Sequence, residues 1–279
     1  MRIVSWNIAH REAGWRELAE SDYDVALLQE ASPPPAGLPE RIRVDGAPWS
    51  TAGTAKRRGW RAAIVALSDR VEVDWIGAAS LADAQAGELA VSRLGTLAAA
   101  IIRSDSMEPI LAFSMYGAWE NPHPSTGGGW IYADASVHRL ISDISSFIGQ
   151  RTTQHVIAAG DLNILMGYGE HGNKYWGARY ATIFDRMAAI GLSFVGPQAP
   201  GGRAAEPWPK ELPIGSRNVP TYHTTRQTPA SATRQLDFVF ATKSLDGCLD
   251  IRARNAPCDW GPSDHCRVEI ELSGRAPRT

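Results

Sequence analysis

His155-Val156-Ile157-Ala158-Ala159-Gly160-Asp161-Leu162-Asn163 is an apolar run that ends on a glycine, a carboxylate and an amide. A continuously apolar stretch of this length suits a strand buried on both faces. A carboxylate at the end of such a strand is costly unless something uses it. The same arrangement recurs outward along the chain. Ser5-Trp6-Asn7 closes an apolar run at 2–6, Gln29-Glu30 closes one at 25–29, and Ser263-Asp264-His265 precedes one at 267–272. Asp237, in Leu236-Asp237-Phe238-Val239-Phe240, shares a strand face with Val239 and Ala241 and needs a partner there. Together these positions supply four acidic residues, two amides (Asn7 and Asn163) and a histidine. A divalent cation and a phosphate ester would use such a set.

Further strands are predicted at 61–67, 71–76, 97–103 and 110–116, besides those at 155–159 and 236–241. Helical periodicity is clearest at 137–148, where Val137, Leu140, Ile141, Ile144 and Phe147 form one stripe. A second helix is expected at 181–190, with Gly191 as its C-terminal cap, and a first at 14–21. Many strands with few helices between them predict a mixed α/β (α+β) domain rather than a doubly wound parallel sheet. Two sheets packed face to face with helices outside fit the count. Long irregular stretches fall at 117–135, 164–180 and 196–234, each next to one of the polar pieces.

The 279 residues, 44% of them apolar, are enough for one large domain spanning 1–279. No apolar run is long enough to span a bilayer, and none precedes the first strand as a leader. Cys248, Cys258 and Cys266 are too few for a disulfide framework, and His265 and Cys266 diverge on a strand start, which disfavours a zinc site with Cys258. A cytoplasmic location is the expectation. A net charge of −2 argues against passive binding of nucleic acid through broad backbone neutralisation. It leaves room for an enzyme whose bound metal supplies local positive charge.

In order and spacing, Trp6-Asn7, Gln29-Glu30, Gly160-Asp161-Leu162-Asn163, Leu236-Asp237-Phe238 and Ser263-Asp264-His265 resemble the endonuclease/exonuclease/phosphatase superfamily, the deoxyribonuclease I-like proteins. The resemblance runs from residue 5 to 265. It implies a four-layer sandwich of two packed mixed β-sheets flanked by helices, with the site at one end. It also implies Mg²⁺ as cofactor, with Mn²⁺ a possible substitute. Glu30 would be the main metal ligand, Asn7 would help place the metal or the phosphate, and Asp264 would face the metal. Asp161 would orient or deprotonate the attacking water, and Asn163 would hold the phosphate or that water. His265, oriented by Asp237, would stabilise charge on the phosphoryl oxygens. Tyr116 matches the strand-end position of a phosphate-contacting residue, although Gly117-Ala118-Trp119 departs from the Tyr-x-Pro pattern of the repair nucleases.

The implied function is metal-dependent hydrolysis of phosphodiesters, most simply by a nuclease acting on nucleic acid. A phosphomonoesterase acting on a nucleotide, sugar or inositol phosphate is the rival, and a non-catalytic binding module on the same fold is the alternative of another class. Candidate substrate contacts lie outside the motifs. Lys56-Arg57-Arg58 with Trp60 and Arg61 is the compact basic cluster, of which Arg58 and Arg61 are the candidate contacts. His223 lies in the last long loop. Trp119 and Trp130 are loop aromatics that could stack on a base. Gly127-Gly128-Gly129 lacks the lysine of a phosphate-binding loop.

Overall fold

Alternation along the strands divides the apolar side chains between two faces, and both faces are buried. The computed structural model describes residues 1–52, 57–120, 133–149 and 155–273, so Lys56, Gly127-Gly128-Gly129 and Trp130 lie outside the described residues. The chain begins with β1 (Arg2–Asn7), α1 (Glu12–Glu20), β2 (Val25–Ala31) and β3 (Arg43–Val44). There follow β4 (Thr51–Ala52), β5 (Arg57–Arg58), β6 (Arg61–Ala66), β7 (Glu72–Ile76), β8 (Ala78–Ser80) and β9 (Leu89–Val91). The hairpin of β10 (Leu97–Ser104) and β11 (Met107–Tyr116) leads to α2 (Asp134–Ile148), β12 (Val156–Asp161), α3 (Lys174–Ala189) and β13 (Leu192–Gly196). β14 (Asp237–Thr242), β15 (Leu249–Arg254) and β16 (Arg267–Leu272) close the second sheet and then the first.

One six-stranded sheet has the order β15-β16-β1-β2-β6-β3, and the other β13-β14-β12-β11-β10-β7. Both are mixed: β1 with β2 and β11 with β12 are parallel, while their other neighbours are antiparallel. Between the sheets, Ile3, Leu27 and Ile64 of the first meet Ala100, Ala112, Ala159 and Val239 of the second. α1 covers the outer face of the first sheet through Trp15 and Leu18, against Val4, Trp6 and Leu28. α2 and α3 cover the outer face of the second, with Leu140, Ile144, Ile183 and Met187 on Phe113, Phe238 and Phe240. The expected four layers are present. Among the described residues no helix is long and apolar enough to cross a membrane.

Packing outweighs local signals where the two disagree. α1 has no side-chain N-cap at Arg11, an omission worth about 1 kcal/mol. Trp15 and Leu18 are fully buried, and each contributes about 2–3 kcal/mol. α3 begins seven residues before the expected 181, capped by Asn173, whose side chain accepts from the Tyr175 and Trp176 amides. An internal Gly177 and an exposed Tyr175 hide that first half from periodicity. β13 and β15 are unpredicted strands. β15 carries Asp250, Arg252 and Arg254 on its outer side, as suits a sheet edge.

Register decides where the site lies. Asn7 pairs opposite Gln29, Tyr116 opposite Asp161, and Asp161 opposite Asp237. β16 runs antiparallel to β1, with Val268 opposite Ser5, so the segment before it reaches the Asn7 end. All the polar pieces therefore converge on one end of the sandwich.

Candidate active site

Two glycines allow the strands to meet there. Gly160 has φ +155°, and a Cβ on it would lie 1.9 Å from the Met115 carbonyl oxygen. A Cβ on Gly117 would lie 2.2 Å from the Leu162 carbonyl oxygen. The Gly before Asp161 is thus required by the close approach of β12 to β11. Glu30 is aimed by a different device. Gln29 faces the other sheet, its Nε2 donating to Ser114 Oγ at 3.0 Å, so simple alternation would turn Glu30 outward. A register shift between Leu28 and Ala31, with Glu30 at φ +47°, breaks the alternation. Such bulges re-aim side chains next to active sites.

Asp161 is the hub and is 1% exposed. Its Oδ2 accepts from Asn7 Nδ2 at 3.0 Å and from Asn163 Nδ2 at 3.2 Å, and its Oδ1 accepts from the Asn163 amide at 2.9 Å. Asn163, at φ +51°, also donates to the Gly117 carbonyl at 3.0 Å. His265 Nδ1 donates to Asp237 Oδ2 at 2.8 Å, and its Nε2 lies 3.6 Å from Asp161 Oδ2. Three contacts fix the histidine's backbone: Ser263 Oγ accepts from the His265 amide at 3.1 Å and itself donates to the Asn7 carbonyl at 2.6 Å, while Trp6 Nε1 donates to the His265 carbonyl at 2.9 Å. Thr221 Oγ1 accepts from the Asp237 amide at 3.1 Å, and Tyr222 lies on the His265 ring at 4.9 Å between centroids.

These contacts set the charges. Burial alone would lower the His265 pKa, but Asp237 and Asp161 overcome it and raise it to about 10. Burial pushes the Asp161 carboxyl up, Asp237 and Glu30 push it further, and His265 with the Asn163 amide opposes them. Burial would also raise Glu30, but bonds from His10 and Tyr116 hold it below the ordinary carboxylate range. The Tyr116 hydroxyl is raised well above its usual value by burial, Glu30 and Asp161.

Asn7, Glu30, Trp119, Asp161, Asn163, Asp264 and His265 line one cleft of about 200 Å³. Tyr116 joins it by bonding Glu30, and Asp237 stands behind His265. Arg58 is one ring removed: its guanidinium lies 4.7 Å over Trp60, which meets Tyr116 edge-on at 5.0 Å. Two of the candidate substrate contacts stand outside the cleft lining. Arg61 is buried and holds Asp45 with both terminal nitrogens, at 3.0 and 2.6 Å, beneath Trp49. It lines a separate hollow of about 760 Å³ that carries no cluster of convergent acids. His223 stacks on Trp260 at 5.1 Å and does not line the cleft, where Tyr222 and Thr224 stand instead. A third hollow, of about 470 Å³ beside His155 and Cys248, lies at the start of β11 and β12, away from the ends that carry Tyr116 and Asp161.

Sequence reasoning missed several members. His10 faces Glu30 with both ring nitrogens, Nε2 at 3.0 Å from Oε2 and Nδ1 at 3.1 Å from the carbonyl oxygen. Arg234 forms a two-pronged pair with Glu170 at 3.2 and 3.0 Å on the cleft wall. His10 lies three residues after Asn7, which was a usable signal, whereas nothing local marks Glu170 or Arg234.

The donor chemistry fits a hard cation. Asp161, Asp237 and His265 lie within 4.8 Å of one another, with His265 Nδ1 engaged by Asp237. Glu30, Asn7, Asp161 and Asp264 line the cleft and offer hard oxygen donors, and a divalent cation would offset the burial and the neighbouring carboxylates that raise Asp161.

No protein-family model matches the chain, and no curated protein matches it by sequence. Solved structures do match. The AP endonuclease LMAP from Leishmania major superposes with a TM-score of 0.64 at 15% identity, covering 99% of this chain and 88% of that one. The Xenopus laevis APE2 catalytic domain gives 0.65 at 16% identity, covering 98% and 91%. The fold is that of the deoxyribonuclease I-like endonucleases, exonucleases and phosphatases. A 3′ phosphatase, NExo from Neisseria, is another such neighbour, with a TM-score of 0.56 at 15% identity over 98% and 99% of the two chains. Within this deoxyribonuclease I-like fold, the cleft lies where both pairs of parallel strands end.

Proposed function

We propose that the chain, as one catalytic domain over 1–279, is a metal-dependent phosphoesterase that hydrolyses phosphodiesters of nucleic acid. One observation carries this: a buried carboxylate, Asp161, is held between two amides and the His265–Asp237 pair, inside a cleft walled by further carboxylates. Glu30, Asn7 and Asp264 would hold Mg²⁺, or Mn²⁺ in its place. The bound cation would supply positive charge against the charge that grows on the phosphate. Asp161 takes the proton of the attacking water, its oxygens fixed by Asn7 and Asn163. Water attacks phosphorus in line and the ester oxygen leaves. His265, kept charged by Asp237, donates to a phosphoryl oxygen as charge develops, and the Tyr116 hydroxyl is held at the cleft by its bond to Glu30. The endonuclease neighbours support nucleic acid as substrate.

A phosphomonoesterase is the second reading, favoured by the small cleft and by the 3′ phosphatase among the neighbours. The two are separated by comparing bis(4-nitrophenyl) phosphate with 4-nitrophenyl phosphate in Mg²⁺. Preferential release from the diester is expected, and release from the monoester alone would replace the diesterase with a phosphatase. A pure binding module would release nothing from either.

A further inference from the structure

Arg234 is the one guanidinium or ammonium group among the described residues that line the cleft, against four carboxylates, Glu30, Asp161, Glu170 and Asp264. Its side chain is 34% exposed and bounds a cavity, so a ligand in the cleft can touch it. A guanidinium carries five N–H groups. Two of these go to Glu170, at 3.2 and 3.0 Å, and the other three meet no acceptor among the described residues. The pair ties the segment around Glu170 to the one that leads into β14, but a charge pair this open adds little to stability. Its place on the cleft wall asks for a second use.

Backbone register aims the side chain. Tyr222 pairs with Arg234 on one side and with His265 on the other, both antiparallel. The Tyr222 amide donates to the Arg234 carbonyl at 3.1 Å, and the His223 amide donates to the Asp264 carbonyl at 3.0 Å. Residues directly opposite one another on paired strands project to the same face. Arg234, Tyr222 and His265 therefore form a row, and the Tyr222 ring lies on the His265 ring at 4.9 Å between centroids. Two strand spacings, roughly 10 Å, separate the outer Cα atoms, a gap that the long arginine side chain shortens. All three residues line the same cleft of about 200 Å³. A volume that small holds little more than the phosphate end of an ester, so a phosphate against His265 also lies near Arg234.

We propose that Arg234 is a substrate-binding residue that donates to a non-bridging phosphoryl oxygen of the bound ester. Glu170 holds the guanidinium while the cleft is empty and competes with the phosphate for it. The planar fork of an arginine matches phosphate oxygens as it matches a carboxylate, so one partner can replace the other. The role rests on the phosphoesterase function proposed above and extends it. Arg234 sets affinity for the phosphate, while Asp161 and His265 carry turnover.

The test measures hydrolysis of bis(4-nitrophenyl) phosphate in Mg²⁺ together with calorimetric titration of inorganic phosphate. Arg234→Gln should raise KM and the phosphate Kd about 10- to 100-fold, the range for charge-assisted bonds, with kcat changed far less. Glu170→Gln should move both the other way, about 2- to 5-fold tighter, because it removes a negative charge that competes for the guanidinium. A merely structural tie would be broken alike by either substitution. Shifts in the same direction in the two variants therefore overturn the proposal, as does a folded Arg234→Gln that binds phosphate like the wild type, or a wild type that binds none. Where Arg234→Gln fails to fold, the sign of the Glu170→Gln shift decides. Ester hydrolysis with KM unmoved in Arg234→Gln removes this role and leaves the phosphoesterase function standing. Phosphate bound through Arg234 by a wild type that hydrolyses no ester supports the site and removes that function.

Discussion

His265 Nε2 and Asp161 Oδ2 face each other at 3.6 Å, and Asp237 decides which of them is charged. Asp237 keeps the imidazole protonated to about 10, against an ordinary 6.5. The sign follows from linkage: a raised folded pKa gives a contribution complete below 6.5 and lost as pH climbs through about 10. In metal-free protein, an NMR titration of the His265 ring should show it charged across neutral pH. In Asp237→Asn the midpoint should fall by one or more units. A ring that titrates near 6.5 in the wild type contradicts the assigned pair. Arg61 illustrates the opposite outcome for a residue that looks functional in sequence. Its guanidinium is committed to Asp45, so Arg61→Ala should destabilise by about 3 kcal/mol, leaving a carboxylate without its partner. Urea denaturation measures this, and salt dependence of cleavage should not change.

At the scale of elements, legibility followed burial. Strands with continuous apolar runs, β1, β2, β6, β11 and β12, were readable because both their faces are covered. β13 and β15, at sheet edges and only partly buried, were not, since their stability comes from neighbours rather than composition. The first half of α3 was hidden because Gly177 interrupts its stripe. The motif residues were legible because acids at buried strand ends are costly unless something uses them, whereas Arg234–Glu170 is a tertiary pairing without local signature. Gly160 links element to site. Gly160→Ala would place a methyl 1.9 Å from the Met115 carbonyl and should lower stability by about 2–4 kcal/mol, separating β12 from β11. Gly37→Ala, with nothing within 4 Å and only its φ of +83° to accommodate, should cost about 1 kcal/mol. Equal denaturation midpoints for the two variants would remove close approach as the reason for the glycine.

For the whole molecule, two sheets meeting through small alanines bring strand ends from both into one cleft, and Gln29–Ser114–Leu28 hydrogen bonds tie the sheets next to it. With a net charge of −2 over the chain, attraction for a polyanion would be local rather than global. The most direct measurement is nicking of supercoiled plasmid in Mg²⁺, with EDTA and with Asp161→Asn as controls. Nicking that EDTA abolishes and Asp161→Asn slows about 10²- to 10⁴-fold is the predicted result. Plasmid left intact by the wild type, or nicked equally by the variant, would contradict the assignment of this cleft as a nuclease active site.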